Sequence, residues 1–101
     1  MSNHLETIAS LDKKIHEPAR LAIMMLLYVV DNADFLYIQK QTQLTKGNLS
    51  SHLSTLEEAN YVAIEKTIKD KTTHTSCSLT PLGRQAFEQY RHQINTVFNE
   101  R

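Results

Sequence analysis

A single cysteine among 101 residues leaves no partner for an intramolecular disulfide and no thiolate set for a zinc cage. Glycine and proline are as scarce, at two each. Gly47 and Gly83 are too few for a β-rich chain full of tight turns, so helix should dominate. Excess charge of either sign is absent too: eleven Lys+Arg balance eleven Asp+Glu, and neither bulk basicity nor an acidic tail names a partner. The longest apolar run, Leu21 to Val30, is half the ~20 residues a membrane span needs. Met1 to Ser10 is polar and lacks the charged-then-apolar order of a secretion signal. No Gly-rich phosphate loop, nucleophile elbow or carboxylate-plus-histidine cluster occurs. Glu57 and Glu58 are adjacent on a helix and diverge, so they do not form an acid/base pair. These absences exclude a membrane protein and argue against an enzyme. What is expected is a small cytoplasmic domain, without repeats or linkers over 1–101, whose 41% hydrophobic content is enough to bury a core.

Apolar spacing then sets the elements. Leu5, Ile8, Leu11 and Ile15 recur at three- and four-residue steps, which predicts a first amphipathic helix that Pro18 interrupts. A second helix, about 19–31, starts with that proline in its first turn and is apolar nearly all round, as befits the centre of a small domain. Asp31 to Asp34 reads as a turn, with Asp34 as N-cap of a third helix carrying Phe35, Leu36 and Ile38. Thr45 caps a fourth, where Leu49, Leu53 and Leu56 form one stripe. Asn60 stands where a left-handed helix terminator is expected. From Tyr61 the period falls to two: Val62, Ile64, Lys66 and Ile68 share one face, and Thr75, Cys77 and Leu79 belong to a second strand beyond the turn Lys69 to Thr72. Thr80-Pro81 opens a last helix with Leu82, Ala86, Tyr90, Ile94, Val97 and Phe98 on one face.

The expected fold is therefore mainly α with a β-hairpin (α+β). A tight turn at Gln43-Leu44-Thr45 joins two short helices into a helix-turn-helix over about 34–60, and the hairpin at about 61–79 follows it as a wing. A C-terminal helix occupies about 80–100. The run Asp34 to Val62, above all Leu44-Thr-Lys-Gly-Asn-Leu-Ser-Ser-His-Leu53 with Leu56-Glu-Glu-Ala-Asn-Tyr-Val62, resembles the winged helix-turn-helix transcriptional regulators of bacteria and archaea. It is most similar to compact single-domain members between the MarR-like and ArsR-like families. Leu79-Thr-Pro-Leu-Gly-Arg84 resembles their passage from wing to last helix. Two departures stand out: Asn60 replaces the usual glycine, and the wing tip carries Lys69-Asp70-Lys71 where the family often has glycine and arginine.

With the leucine stripe buried, the far side of the fourth helix presents Gly47, Asn48, Ser51, Ser54, Thr55 and Glu58 at 100° per residue. Small polar side chains approach base edges without steric conflict. Asn48 is able to pair bidentately with adenine, and the hydroxyls of Ser51 and Thr55 donate or accept. Thr45 and Lys46 sit at the first turn, where the helix dipole favours phosphate. Glu58 is expected to lie clear of the groove. From Phe35 to Leu56 there is no acid, while Lys40 and Lys46 fall in that window. The wing adds Lys66, Lys69 and Lys71 against Asp70. His52, 60–70° from the stripe's centre, reads equally as a packing residue or a phosphate contact; the resemblance favours the contact. An uncharged polar helix face is also what ordinary solvated surface looks like, so the helix-turn-helix context carries this reading.

Metal chemistry is not expected. His74 and Cys77, three apart on a strand, face opposite ways; His4, His16 and His92 are scattered; Cys77 lies on the apolar face as a structural thiol. No cofactor is called for. The last helix is longer than the core needs, so Tyr90, Ile94, Val97 and Phe98, joined by Leu5, Ile8 and Leu11, are expected to pair two copies. The expected function is a dimeric regulator binding double-stranded DNA, acting as a repressor by occlusion, with room for a small-molecule effector between the dimer helices and the second helix. The competing reading is a winged-helix module that binds protein and has no specific DNA site.

Overall fold

The computed structural model describes residues 3–99. The elements run α1 (His4–Ala9), α2 (Pro18–Val30), β1 (Asn32–Asp34), α3 (Phe35–Thr42), α4 (Lys46–Glu58), β2 (Val62–Lys69), β3 (Thr72–Leu79) and α5 (Pro81–Asn99). The caps are those the sequence implies. Asp34 accepts the Tyr37 amide at 2.7 Å and Thr45 the Asn48 amide at 3.1 Å, each satisfying a first-turn N–H that has no partner within its helix. Gln43 (φ 60°) and Asn60 (φ 64°) adopt the left-handed conformation that ends α3 and α4.

Three features depart from expectation. The first helix stops at Ala9: the Ser10 hydroxyl bonds back to the Thr7 carbonyl, and the Asp12 carboxylate takes the Lys14 amide at 2.8 Å, turning the chain. Leu11 and Ile15 are nevertheless 3% and 0% exposed. Each contributes roughly 1.5–3 kcal/mol of burial, so their spacing anchors a loop rather than continuing a helix. Second, the turn at 31–34 contains a strand. Asp31 (φ 66°) reverses the chain, and Asn32, Ala33 and Asp34 pair with Ser78, Cys77 and Ser76. The sheet is thus three-stranded and antiparallel, in the order β1-β3-β2. Third, the inner face of α5 keeps Ala86, Tyr90 and Ile94 as expected but loses its ends and gains Gly83 and Phe87. Leu82 is half exposed, whereas Gly83, Phe87 and Tyr90 are buried.

α2 sits at the centre, contributing Ile23, Met24 and Leu27 to a core shared with Ile38 of α3, Leu49, Leu53 and Leu56 of α4, Val62 and Cys77 of the sheet, and Phe87 of α5. Tyr28 of α2 lies against Phe87, ring centroids 5.0 Å apart, and the Arg84 guanidinium stands over the Tyr28 ring, 4.9 Å from its centroid. The hairpin register runs from Val62 opposite Leu79 to Lys69 opposite Thr72, and Asp70 and Lys71 close it with positive φ at both positions, as a two-residue hairpin loop requires.

The two glycines differ in what surrounds them. A Cβ on Gly83 would lie 2.0 Å from the Tyr61 carbonyl oxygen, while a Cβ on Gly47 would meet nothing within 4 Å. Gly83→Ala is therefore expected to destabilise by about 1–3 kcal/mol or more, because backbone must move to admit the methyl group. Gly47→Ala should be neutral or stabilising by up to about 1 kcal/mol. Urea unfolding of the two variants checks both signs.

Candidate nucleic-acid interface

α4 is held by its leucine stripe, with Leu49, Leu53 and Leu56 all at 2% exposure or less. That fixes what the rest of the helix presents. Lys46, Gly47, Asn48, Ser50, Ser51 and Ser54 are exposed, and Thr55 is partly so. The Thr45 side chain is spent on the cap, and the Thr55 hydroxyl donates to the Ser51 carbonyl at 3.3 Å. The free polar groups of the outward face are thus those of Asn48, Ser51 and Ser54.

One flank of α4 faces the hairpin across an open groove of about 820 Å³. Lys46, Ser50, Ser54 and Glu57 border it from the helix, Lys66, His74 and Thr75 from the sheet, and Phe35, Leu36 and Gln39 from α3. Lys46 and Lys66 are therefore brought to one cleft, whereas Lys69 and Lys71 sit at the exposed hairpin tip. Ser50 and Gln39 are groove residues the helical wheel did not single out. Ser50 lay between the stripe and the outward face, and only the packing of the wing shows which side it joins.

The other flank of α4 meets the start of α2. His52 is partly buried, with its Nδ1 3.1 Å from Nη1 of Arg20. A guanidinium only donates, so Nδ1 accepts and the neutral ring carries its proton on Nε2. The Glu17 carboxylate, 3.9 Å from the same nitrogen, caps α2 by accepting the Arg20 amide at 2.7 Å. His52 thus packs between α4 and α2, as one of its two readings has it, and it couples α4 to an arginine. Arg20 carries no periodic signal, since a basic residue at the start of an apolar helix looks like ordinary surface.

The expected dimer residues divide. Leu11 and Tyr90 are buried within the chain itself, Tyr90 with its hydroxyl 2.8 Å from His16 Nδ1. Their own core accounts for both. Leu5, Ile8 and Phe98 are exposed at 78%, 41% and 76%, and Ile94 and Val97 are half-buried. His74 and Cys77 lie on opposite faces of β3, the first exposed and the second buried. Among the described residues no group of three or more His, Cys, Asp or Glu is arranged to hold a metal ion, and no helix is long and apolar enough to cross a membrane.

Burial raises the Cys77 thiol from 9.0 to about 11, with Glu57 and Asp34 adding to the effect. The Tyr61 hydroxyl rises from 10.0 to about 12 through burial and its hydrogen bond to Asp12. Both groups are held neutral by the fold. Their contribution to stability is complete below pH 9–10, where the unfolded groups are also neutral, and is lost as pH rises through about 11 and 12. Urea midpoints are expected to fall above pH 9, less steeply in Cys77→Ala, and a thiol reagent at pH 8 should modify native protein at least about 100-fold more slowly than unfolded protein.

Comparison with known proteins agrees with the fold. A family model described as a winged helix DNA-binding domain matches residues 19–97. An uncharacterised protein of Methanocaldococcus jannaschii is 34% identical over 82 residues, covering 81% of this chain and 89% of that one. A transcriptional regulator homologue from Pyrococcus horikoshii OT3 superposes with a TM-score of 0.87 at 31% identity, over 95% of this chain and 94% of the other. The transcriptional repressor CouR, bound to a 23-mer DNA duplex, superposes with a TM-score of 0.77 at 18% identity, over 96% of this chain and 66% of that chain, a likeness of fold.

Proposed function

Since this chain belongs to the winged helix DNA-binding domain family, we propose that it is a sequence-specific regulator of transcription that acts as a dimer on double-stranded DNA, most similar to the MarR-like and ArsR-like regulators. The observation that carries this reading is α4 itself. Its outward face offers short, uncharged polar side chains, its first turn has no acid, and lysines stand beside it at position 46 and on the hairpin at 66, 69 and 71. Short side chains allow close approach to base edges, and lysines supply affinity for any duplex.

In the proposed complex the N-terminal half of α4 enters the major groove. Asn48 and Ser51 read base edges, with Gly47, Ser54 and Thr55 alongside. Lys46 and His52 take phosphates, and Lys66, Lys69 and Lys71 lie along the backbone or minor groove. Exposed Leu5, Ile8 and Phe98 pair with the same residues of a second copy, with Ile94 and Val97 at the edge of that contact. Two recognition helices then fall about one DNA turn apart on an inverted repeat. Repression by occluding a promoter is the simplest output of such a complex. We place a small-molecule effector beside α5 and the segment before α2, where a cleft of about 370 Å³ is bordered by Ser10, Asp12, Gln85 and Gln89. The regulator needs no catalytic group, and a soluble cytoplasmic site of action follows from its target.

Selection from a randomised duplex pool at low salt is expected to enrich an inverted repeat. Recovery of unenriched sequence would mean a non-specific DNA protein, and no retention would leave the protein-binding alternative. On the selected duplex, Lys46→Ala should weaken binding evenly across sequences and flatten the plot of log affinity against log salt by about 1, whereas Ser51→Ala should alter base preference at one position. If neither variant changes binding, α4 is not the reading element. Sedimentation is expected to give a dimer at micromolar concentration, and Phe98→Asp a monomer.

A further inference from the structure

The segment before α2 is built like an anchored loop with its charges turned outward. Leu11 and Ile15 are buried on either side of Lys13 and Lys14, both of which are exposed. The Arg20 side chain fixes the backbone between them: Nε donates to the Lys14 carbonyl at 2.7 Å and Nη2 to the Lys13 carbonyl at 3.4 Å. Its Nη1 donates to His52 on α4. One arginine therefore ties a lysine pair to the recognition helix.

The two carboxylates of this segment are already occupied. Asp12 receives the Lys14 amide and the Tyr61 hydroxyl, and Glu17 caps α2. Neither comes within 4.0 Å of a lysine ammonium or of the Arg20 guanidinium among the described residues. Position is the second consideration. On the helical wheel His52 neighbours Asn48 and Thr55, while Lys46, Ser50 and Ser54 occupy the side that borders the wing groove. The lysine pair and the wing thus stand on opposite flanks of the same exposed face.

We propose that Lys13 and Lys14, positioned by Arg20, grip DNA backbone on the flank of α4 opposite the wing, so that the recognition helix is clamped from both sides. The ligand is the phosphodiester chain of a duplex, which suits lysines held without carboxylate partners beside a face of short polar side chains. This rests on the proposed function, and deepens it by adding a second set of phosphate contacts. Arg20 acts as a positioning residue here, since its N–H groups are turned to the loop carbonyls and His52.

The test is the binding of the selected duplex by the full chain across a salt series. The double variant Lys13→Ala/Lys14→Ala is expected to bind at least about 10-fold more weakly, with a salt slope shallower by about 2, one per phosphate released, and with base preference unchanged. In hydroxyl-radical footprints, protection should be lost on one flank of each half-site and kept where the wing lies. Lys13→Gln/Lys14→Gln reads the same loss of charge should the alanine pair unfold, and Lys13→Arg/Lys14→Arg should restore binding. Unchanged affinity and slope, with wild type still binding, overturn this inference alone. Protection lost evenly across the site also overturns it. Failure of wild type to bind any duplex removes both this inference and the function it rests on.

Discussion

The leucine stripe buries α4, and the crossing at Tyr61 joins its end to the wing and to α5. The Tyr61 carbonyl accepts the Thr80 amide at 3.0 Å and lies so close to Gly83 that only a hydrogen fits there. The Thr80 hydroxyl donates to the Asn60 carbonyl at 2.6 Å and accepts the Gly83 amide at 2.9 Å. The Tyr61 hydroxyl reaches Asp12. At one point, then, the end of α4, both ends of the wing, the start of α5 and the segment before α2 are fastened together. Asn60 makes this possible by reversing the chain with a positive φ, for which asparagine substitutes acceptably for glycine. α4 and the wing therefore share one hydrogen-bonded root. The angle between them is set at their common root.

The electrostatics follow from how carboxylates are used, not from how many there are. A chain of zero formal charge still leaves lysines without carboxylate partners when several of its acids are occupied by backbone N–H groups. Asp34 caps α3, Glu17 caps α2 and Asp12 shapes a turn. All three lie outside the acid-free stretch from Phe35 to Leu56. In the fold two of them stand beside the reading face, yet each is turned to backbone N–H groups, where a carboxylate complements the helix dipole or a tight turn. Counting charges along the sequence overlooked the lysines at 13 and 14 for that reason: they are flanked by acids in sequence but not opposed by them in space.

Much of the fold was legible because it is encoded locally. The caps at Asp34, Thr45 and Thr80, the left-handed Asn60 and the two-residue period from Val62 are signals carried within a few residues, and the structure keeps every one. The misreadings share a cause. Leu11 and Ile15 repeat at helical spacing, but the tertiary core claims them from a loop. Ala33 in β1 carries no alternation because three residues are too few to show one, and only pairing with Cys77 reveals the strand. Gly83 carries no apolar signal for the inner face of α5, because its role depends on a carbonyl more than twenty residues earlier in the chain. For the site, the outward face of α4 could be read from its stripe alone, whereas Arg20, Ser50 and Gln39 belong to it through contacts that no spacing rule contains.

The short side chains of α4 impose a physical condition on any complex they make. A serine or asparagine reaches a base edge only if the helix axis comes close to the groove floor, and a neutral helix face has little long-range attraction to bring it there. Charges that pull the helix in must therefore stand at its end, as Lys46 does, or beside it. In the proposed complex the wing supplies them on one side, joined to α4 at its base around Tyr61. A pull from one side alone would tilt the helix and lift its far edge, where Asn48 and Thr55 lie. In the proposed complex the arginine-tied loop on that edge is the counterweight, linked to α4 by the contact between Arg20 and His52.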